Sequence, residues 1–488
     1  MLANQSRILL IAKPKPDLYH HVKNPTKTIT ILYSSLWLFR RDIRYYSSKF
    51  LVILIRMKQK LIIGLGQTLR WLAQKRGGSG SALPGLIIEK ISPNFASDVL
   101  KTLPSGIVIV SGTNGKTTTT KIVCELLESQ GLKVFTNRTG SNFSRGVSAA
   151  ILGSINNVGQ LDADIAVLEL DEAHGVHFVK KVRPTHCLIL NVMRDQLDRF
   201  GEIDYTADLL QKIASSTTTS VVINQNDPRL NNPKFVESIA ADISYFGASE
   251  QLLKLFPSDD DMRTSNSKIT TSSASITKSK TTILKKIDPQ SNSACINFDG
   301  VDHDVNLQLK GVYNLLNATA AVALVRQIVG PKLDSSKMFR TLEKVTPAFG
   351  RGESITINSQ PVEIILVKNP SGFRLSLTSF ANSNYATMIA INDNYADGRD
   401  MSWLWDVDFD SLRTNGVSMV SGVRAYDMAL RLQYDLVSFQ QIIPEISSAV
   451  DEFIAKNDDK PKRIFCSYTA MLAIRKSLKQ YTDVEQVS

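Results

Sequence analysis

Apolar positions along the chain change period repeatedly. Short aliphatic and β-branched runs fall at 107–110, 132–136, 164–170, 186–190 and 219–223, and each reads as a buried strand. Between them the apolar residues fall at helical spacing. Ile122, Val123, Leu126 and Leu127 do so within 116–130, and a second helix is expected at 203–214. Strands alternating with helices predict an α/β fold with a central parallel sheet and its functional loops at the carboxyl edge. A helix rich in Ala and Leu follows at 311–329. A second, smaller α/β alternation then places strands at 362–367, 385–391, 416–420 and 463–466, and helices at 423–433 and 446–455.

The breaks in this pattern set the expected domains. Residues 57–105 read as one or two helices with a Gly/Ser hinge at Gly77-Gly78-Ser79-Gly80-Ser81. The central domain spans 106–346 and the C-terminal domain 347–488, with a hinge from Pro347 to Glu353. Within the central domain, 248–294 is dominated by Ser, Thr, Lys and Asp. It reads as an insertion, either poorly ordered or a short polar hairpin. Order is expected to resume over Cys295–Leu309.

Charge changes the picture only once it is located. The net charge is +11, but residues 1–56 hold ten Lys/Arg against Asp17 and Asp42 and so carry most of it. The body is close to neutral, and the basic balance gives no reason to expect a nucleic-acid partner. The leader's apolar runs, Ile29 to Phe39 and Phe50 to Ile55, are too short to span a membrane. No cleavage site follows a proper apolar core, so a secretory signal is not expected. Two readings remain open: a basic segment resting on an anionic membrane face, or a chain whose translation starts at Met57. Cys124, Cys187, Cys295 and Cys466 lie far apart, which argues against a disulfide scaffold and a zinc ribbon and fits a reducing cytoplasm. His186 adjoins Cys187, but the cysteine sits in an apolar strand and reads as core.

The candidate chemistry begins where the strand at 107–110 meets Gly112-Thr113-Asn114-Gly115-Lys116-Thr117-Thr118. Glycines turn backbone N–H groups toward a polyphosphate, and the helix N-terminus adds partial positive charge. Lys116 would reach the β/γ phosphates and the Thr117 hydroxyl would hold Mg²⁺. Val110 stands where the longer G-x4-G-K-[ST] pattern has glycine, so the fit is to a shorter G-T-N-G-K-T form. Glu169, on an otherwise apolar strand, is the candidate carboxylate for Mg²⁺ opposite Thr117. Polar clusters follow other strands: Asn191 to Glu202, Asn224 to Pro228, and Asn314 with Asn317 on one helix face. The first reads as a functional loop or as a salt-bridged helix start. The second suits base or ribose hydrogen bonding, or is a plain Asx turn. In the second domain, Asn392 to Asp406 packs several carboxylates beside Arg399, Trp403 and Trp405, which is costly unless they have partners.

Taken together these segments resemble the Mur ligase family: GTNGKTTT is its phosphate loop, and the Glu169, Asn191 and Asn314/Asn317 clusters follow in its order. More narrowly, the chain is similar to the family's MurT branch. That resemblance is carried by 136–142 (TNRTGSN), 194–202 (RDQLDRFGE), Lys368-Asn369-Pro370, 397–409 (DGRDMSWLWDVDF) and 421–428. It runs from about Met57 to near the C-terminus. Members often carry a four-cysteine zinc ribbon where this chain has 248–294, so no zinc is expected.

The resemblance implies a central P-loop ATPase domain of Mur ligase type. It also implies ATP-dependent amidation of the D-glutamate α-carboxyl in lipid II, through an acyl phosphate, with ATP and Mg²⁺ as cofactors. Asn191, Asn226, Asp227, Asn314 and Asn317 would surround the nucleotide, and Arg351 would add charge on its γ-phosphate. None of the four cysteines sits in a nucleophile turn, so ammonia must come from another chain. The resemblance supplies that partner as a GatD-like glutaminase. It implies that an aspartate of the DGRD motif, Asp400 or alternatively Asp397, completes the partner's catalytic triad. The expected location is cytoplasmic, at or near the inner membrane face. A Mur-type amino acid ligase and a non-turning ATP-binding assembly module are the competing functions. The Trp403/Trp405 segment counts against the first, and carboxylates at Glu169 and Asp400 count against the second.

Overall fold

In the computed structural model of the chain, the described residues are 64, 66–68, 82–137, 144–156, 158–195, 203–258, 281–288, 292–347, 351–380, 384–456 and 460–482. The leader 1–56, the Gly77–Ser81 hinge, residues 138–143 and 196–202 of the family motifs, 259–280 of the insertion and 348–350 of the inter-domain hinge lie outside them.

The larger sheet has nine strands in the order β2-β3-β1-β4-β5-β6-β7-β8-β9. They are β1 Ile107–Ser111, β2 Val134–Thr136, β3 Ile165–Glu169, β4 His186–Ile189, β5 Ser220–Asn224, β6 Asp242–Ala248, β7 Thr281–Asp288, β8 Ser293–Phe298 and β9 Val301–Asn306. Neighbours from β2 through β7 run parallel, and β7-β8-β9 is an antiparallel meander. β1 is buried along its whole length because helices cover both faces of a parallel sheet. Strand period divides it between two cores. Ile107 and Ile109 pack with Ala166, Leu168, Cys187 and Ile189 on one face, while Val108 and Val110 pack with Val167, Leu188 and Val222 on the other.

The expected strands are present, and in the described part of 248–294 the structure agrees with the hairpin alternative. A 3₁₀ turn at Glu250–Leu255 opens it, and β7 forms a hairpin with β8. The helix Val312–Val329 is apolar on nearly every side and buried without a break from Asn317 to Val325, as a core helix must be. It packs against the phosphate-loop helix Lys116–Ser129 and several strands of the sheet.

The smaller sheet has six strands in the order β10-β11-β15-β12-β13-β14. They are β10 Arg351–Ile357, β11 Gln360–Leu366, β12 Ala386–Ala390, β13 Val417–Ser421, β14 Phe439–Ile443 and β15 Lys462–Cys466. β10 and β11 form an antiparallel hairpin and the others run parallel. Here too two cores flank the sheet, one around Phe373, Phe409 and Phe465, the other around Met388, Phe453 and Ile464.

Candidate active site

β3, β1 and β4 lie side by side, and their carboxyl ends deliver Glu169, the loop Gly112–Gly115 and Asn191 to one edge. The glycines of that loop are obligatory. Gly112 has φ +129° and Gly115 φ +89°, and a Cβ on Gly115 would lie 2.5 Å from Asn317 Oδ1. The loop is clamped from the β4 side. Asn114 N–H donates to Asn191 Oδ1 at 2.9 Å, and Asn191 Nδ2 donates back to Asn114 O at 3.0 Å. Thr113 Oγ1 accepts from Met193 N–H at 3.1 Å.

Lys116 is buried and donates to Gly112 O at 2.5 Å and Thr113 O at 3.2 Å, with Glu172 Oε1 at 3.4 Å. Burial opposes its charge, but Glu172, Asp171, Asp195 and Glu169 outweigh that and hold its pKa above the ordinary lysine value. Burial pushes the Glu172 carboxyl up, against the pull of Lys116. Thr117 Oγ1 donates to Glu169 Oε1 at 2.9 Å. Glu169 is itself bracketed through its backbone: its N–H donates to Asn137 Oδ1, and its carbonyl accepts from Asn137 Nδ2. A hydroxyl and a carboxylate side by side at the foot of an anion cradle are hard oxygen donors, the set Mg²⁺ takes beside phosphate.

A cavity beside the loop is lined by Asn114, Gly115, Asn191, Asn226, Asp227 and Asn317, with Phe256, Tyr313, Leu316 and Leu375 as its apolar wall. The structure therefore gathers four of the five expected nucleotide-side residues. Asn191, Asn226 and Asp227 also bond the protein's own backbone. Asn226 brackets Ala248 through that residue's N–H and carbonyl. Asp227 accepts from Val192, Arg229 and Leu230 N–H groups, and burial raises its pKa to about 6. Asn314 is a support rather than a wall: it donates to Lys310 O and accepts from Asn317 Nδ2. Thr118 is buried in the first turn of the loop helix. Arg351 opens β10, and its side chain lies outside the described set.

Sequence reasoning missed two residues here. Glu172 pairs with the loop lysine, and its only signal was the pair of carboxylates Asp171-Glu172 just beyond the strand that ends at Glu169. Asn369 belongs to a recognised motif, yet nothing assigned it a contact. It reaches the loop from the smaller domain, donating to Asn114 Oδ1 and to Asp195 Oδ1, each at 3.2 Å.

The other carboxylates lie in the smaller domain, on the 392–406 segment. Asp397 is buried and accepts from Asn394 N–H, Thr469 N–H and Thr469 Oγ1, so it fastens the segment to the last helix. Asp400 is half-buried and accepts from Ser402 N–H through Oδ1. Asp406 ends the segment against Arg194 at 3.2 Å. Trp405 is partly exposed and packs edge-on against Tyr434 at 5.1 Å between ring centroids. Beyond it, helix Ala425–Tyr434 exposes Tyr426, Leu430 and Tyr434 at four-residue spacing, one apolar stripe on one face. Cys187 and Cys466 are core thiols, fully buried, with burial pushing Cys187 to about 12 and raising Cys466 further.

Comparison with known proteins agrees with this geometry. The Mur ligase middle domain family matches residues 110–325. The MurT ligase C-terminal family matches residues 366–471. The chain is 30% identical over 434 residues to the MurT subunit of lipid II isoglutaminyl synthase (glutamine-hydrolyzing) of Streptococcus pneumoniae (strain ATCC BAA-255 / R6), covering 83% of this chain and 93% of that one. The corresponding Staphylococcus aureus (strain N315) subunit is 28% identical, over 77% and 88% of the two chains. A crystal structure of MurF from Acinetobacter baumannii superposes with a TM-score of 0.60 at 19% identity, over 79% and 78% of the two chains, a likeness of fold.

Proposed function

The chain belongs to the Mur ligase family of ATP-dependent ligases, in its MurT branch, and from that premise we propose that it amidates the D-glutamate α-carboxyl of lipid II, using ammonia made by a GatD-type glutaminase. The observation that carries this reading is the pairing, in one chain, of an anion cradle with Thr117 and Glu169 at its foot and a C-terminal domain that presents Asp400.

The phosphate loop supplies N–H donors and the charged Lys116 for the β- and γ-phosphates of ATP. Lys116 must leave Gly112 O and Thr113 O to reach them, and its pairing with Glu172 keeps it charged while buried. Thr117 and Glu169 would hold Mg²⁺, which would neutralise charge on the phosphates during transfer. The apolar wall of Phe256, Tyr313, Leu316 and Leu375 suits a base. The γ-phosphoryl group passes to a substrate carboxylate oxygen, giving an acyl phosphate and ADP. Ammonia then adds to the acyl carbon, phosphate leaves with the carboxylate-derived oxygen, and a proton is lost to solvent. These steps call for positioning and charge neutralisation rather than a protein nucleophile.

Ammonia supply falls to the partner. The half-buried Asp400 retains an oxygen beyond its bond to Ser402, as a carboxylate that orients a partner's imidazole must. Asp397 is committed to Thr469 and Asn394, which supports Asp400 of the two. The exposed stripe Tyr426, Leu430, Tyr434 supplies an apolar face for that partner to cover. The competing amino acid ligase reading predicts a peptide bond to an added residue instead of an amide. Substrate labelled with ¹⁸O in the carboxylate tests the chemistry. With ATP and an ammonium salt, transfer of label into phosphate alongside amide formation supports the acyl phosphate, and unlabelled phosphate contradicts it.

A further inference from the structure

Asn369 is fully buried between the two domains, and its carboxamide is committed in three directions. Its Oδ1 accepts Gly372 N–H at 2.7 Å, capping helix Pro370–Phe380 of the smaller domain, with Pro370 following as the first helical residue. Its Nδ2 donates to Asn114 Oδ1 in the phosphate loop and to Asp195 Oδ1 beyond β4. The cap therefore serves its own helix with the oxygen and the other domain with the nitrogen.

The segment Met193-Arg194-Asp195 is held from both sides. On the loop side, Met193 N–H donates to Thr113 Oγ1, which donates in turn to Met193 O, and Asn114 Nδ2 lies 3.6 Å from Met193 Sδ. From the smaller domain, Ser371 Oγ reaches Arg194 O, Asn369 reaches Asp195, and Asp406 pairs with Arg194. A Cβ on Gly372 would lie 2.8 Å from Asn369 Oδ1 and 3.5 Å from Asn114 Oδ1, so the glycine allows the close approach.

We infer that Asn369 is a positioning residue for the phosphate loop supplied by the C-terminal domain: it fixes Asn114 and Asp195 so that the loop holds its working shape only when that domain is docked. The inference rests on the reading of the loop as the ATP cradle. Nucleotide binding draws mainly on the loop's N–H groups and Lys116, which the central domain owns, and takes only Leu375 of the apolar wall from the smaller domain. Transfer to a second substrate needs both domains registered within a fraction of an ångström. Losing the bridge should therefore cost turnover and spare binding.

Asn369→Ser keeps an oxygen that caps the helix but is too short to reach Asn114 or Asp195. Asn369→Ala loses the cap as well. Asp195→Ala removes one acceptor and leaves the cap untouched. In the full chain, the Ser variant should keep ADP affinity within about threefold of the parent while kcat with ammonium falls about tenfold or more, and Asp195→Ala should lower kcat as well. Hydrogen exchange without nucleotide should quicken at the Thr113, Asn114 and Met193 amides and stay slow at Gly372 in the Ser variant. Parental kcat and parental loop exchange in the Ser variant overturn the inference. So does a Ser variant that loses thermal stability and ADP binding as the Ala variant does, since the role is then structural. If the parent chain itself makes no amide from ammonium, the functional reading fails, and the exchange measurement still decides the role of Asn369.

Discussion

Thr117 Oγ1 lies 2.9 Å from Glu169 Oε1, joining the first turn of the phosphate-loop helix to the end of the strand beside it. In the proposed reading these two oxygens would hold a divalent cation beside the phosphates, which would account for a carboxylate buried at this place. Glu169→Gln should lower ATP-dependent turnover by about 10²- to 10³-fold. Thr117→Ala should fall similarly and Thr117→Ser should recover most activity. Turnover measured across a Mg²⁺ titration checks this, and near-parental activity in Glu169→Gln contradicts it. The fold should survive, because the bonds of Asn114 to Asn191 and of Met193 to Thr113 still tie the loop to the segment after β4.

The two aspartates of the DGRD segment should separate cleanly. Asp400→Asn should abolish glutamine-dependent amidation in the complex and retain ammonium-dependent amidation. Asp397→Asn weakens the bonds to Thr469 and should cost stability of about 1–3 kcal/mol, lowering both activities together. Parallel assays with glutamine and with ammonium salts distinguish them. Loss of glutamine use alone in the Asp397 variant reverses the assignment.

The stripe on helix Ala425–Tyr434 should matter to association alone. Tyr426→Glu with Leu430→Lys places charge on exposed positions and should weaken co-purification with the glutaminase. Ammonium-dependent turnover should be unaffected, since neither side chain is packed in the core. Undiminished co-purification moves the partner surface elsewhere.

His186 gives a pH prediction. It is buried in β4 beside Ser220 Oγ at 2.8 Å, and burial lowers its pKa to about 4 from 6.5. The native state keeps the ring neutral while the unfolded chain takes up a proton below about 6.5. The stability this group contributes is therefore full above pH 6.5 and is lost as pH falls through the window down to about 4, a change of roughly 3 kcal/mol. Urea unfolding across that window should show the decline, and His186→Asn should flatten it. An equal decline in the variant assigns the effect to other groups.

Much of this molecule is legible along the chain because the relevant residues are contiguous. β1, the glycine loop and the helix at Lys116 sit in one stretch, and burial on both faces makes the neighbouring strands uniformly apolar. β7 is harder to see. Its outer positions face water, and Lys285 and Lys286 make it look like part of a polar insertion. β14 is an edge strand with Gln440 and Gln441 in its middle. The site divides the same way. Lys116, Thr117 and Glu169 announce themselves, but their partners depend on topology. Glu172 meets a lysine 56 positions earlier, and Asn369 meets a loop 255 positions earlier. The asparagines at 191 and 226 are visible as part of a polar set, while their hold on the backbone of Asn114 and Ala248 emerges only once the strand ends converge.

The account's central claim is tested most directly by mass spectrometry of lipid II. The chain is co-purified with the proposed GatD-type glutaminase and supplied with lipid II, ATP, Mg²⁺ and glutamine. Acid-to-amide conversion through an activated carboxyl lowers the mass by about one dalton per stem peptide. Fragmentation should place that change at the D-glutamate α-carboxyl, and omission of ATP should abolish it. Unchanged lipid II from an intact complex, or a mass gain corresponding to an added amino acid, would contradict the account.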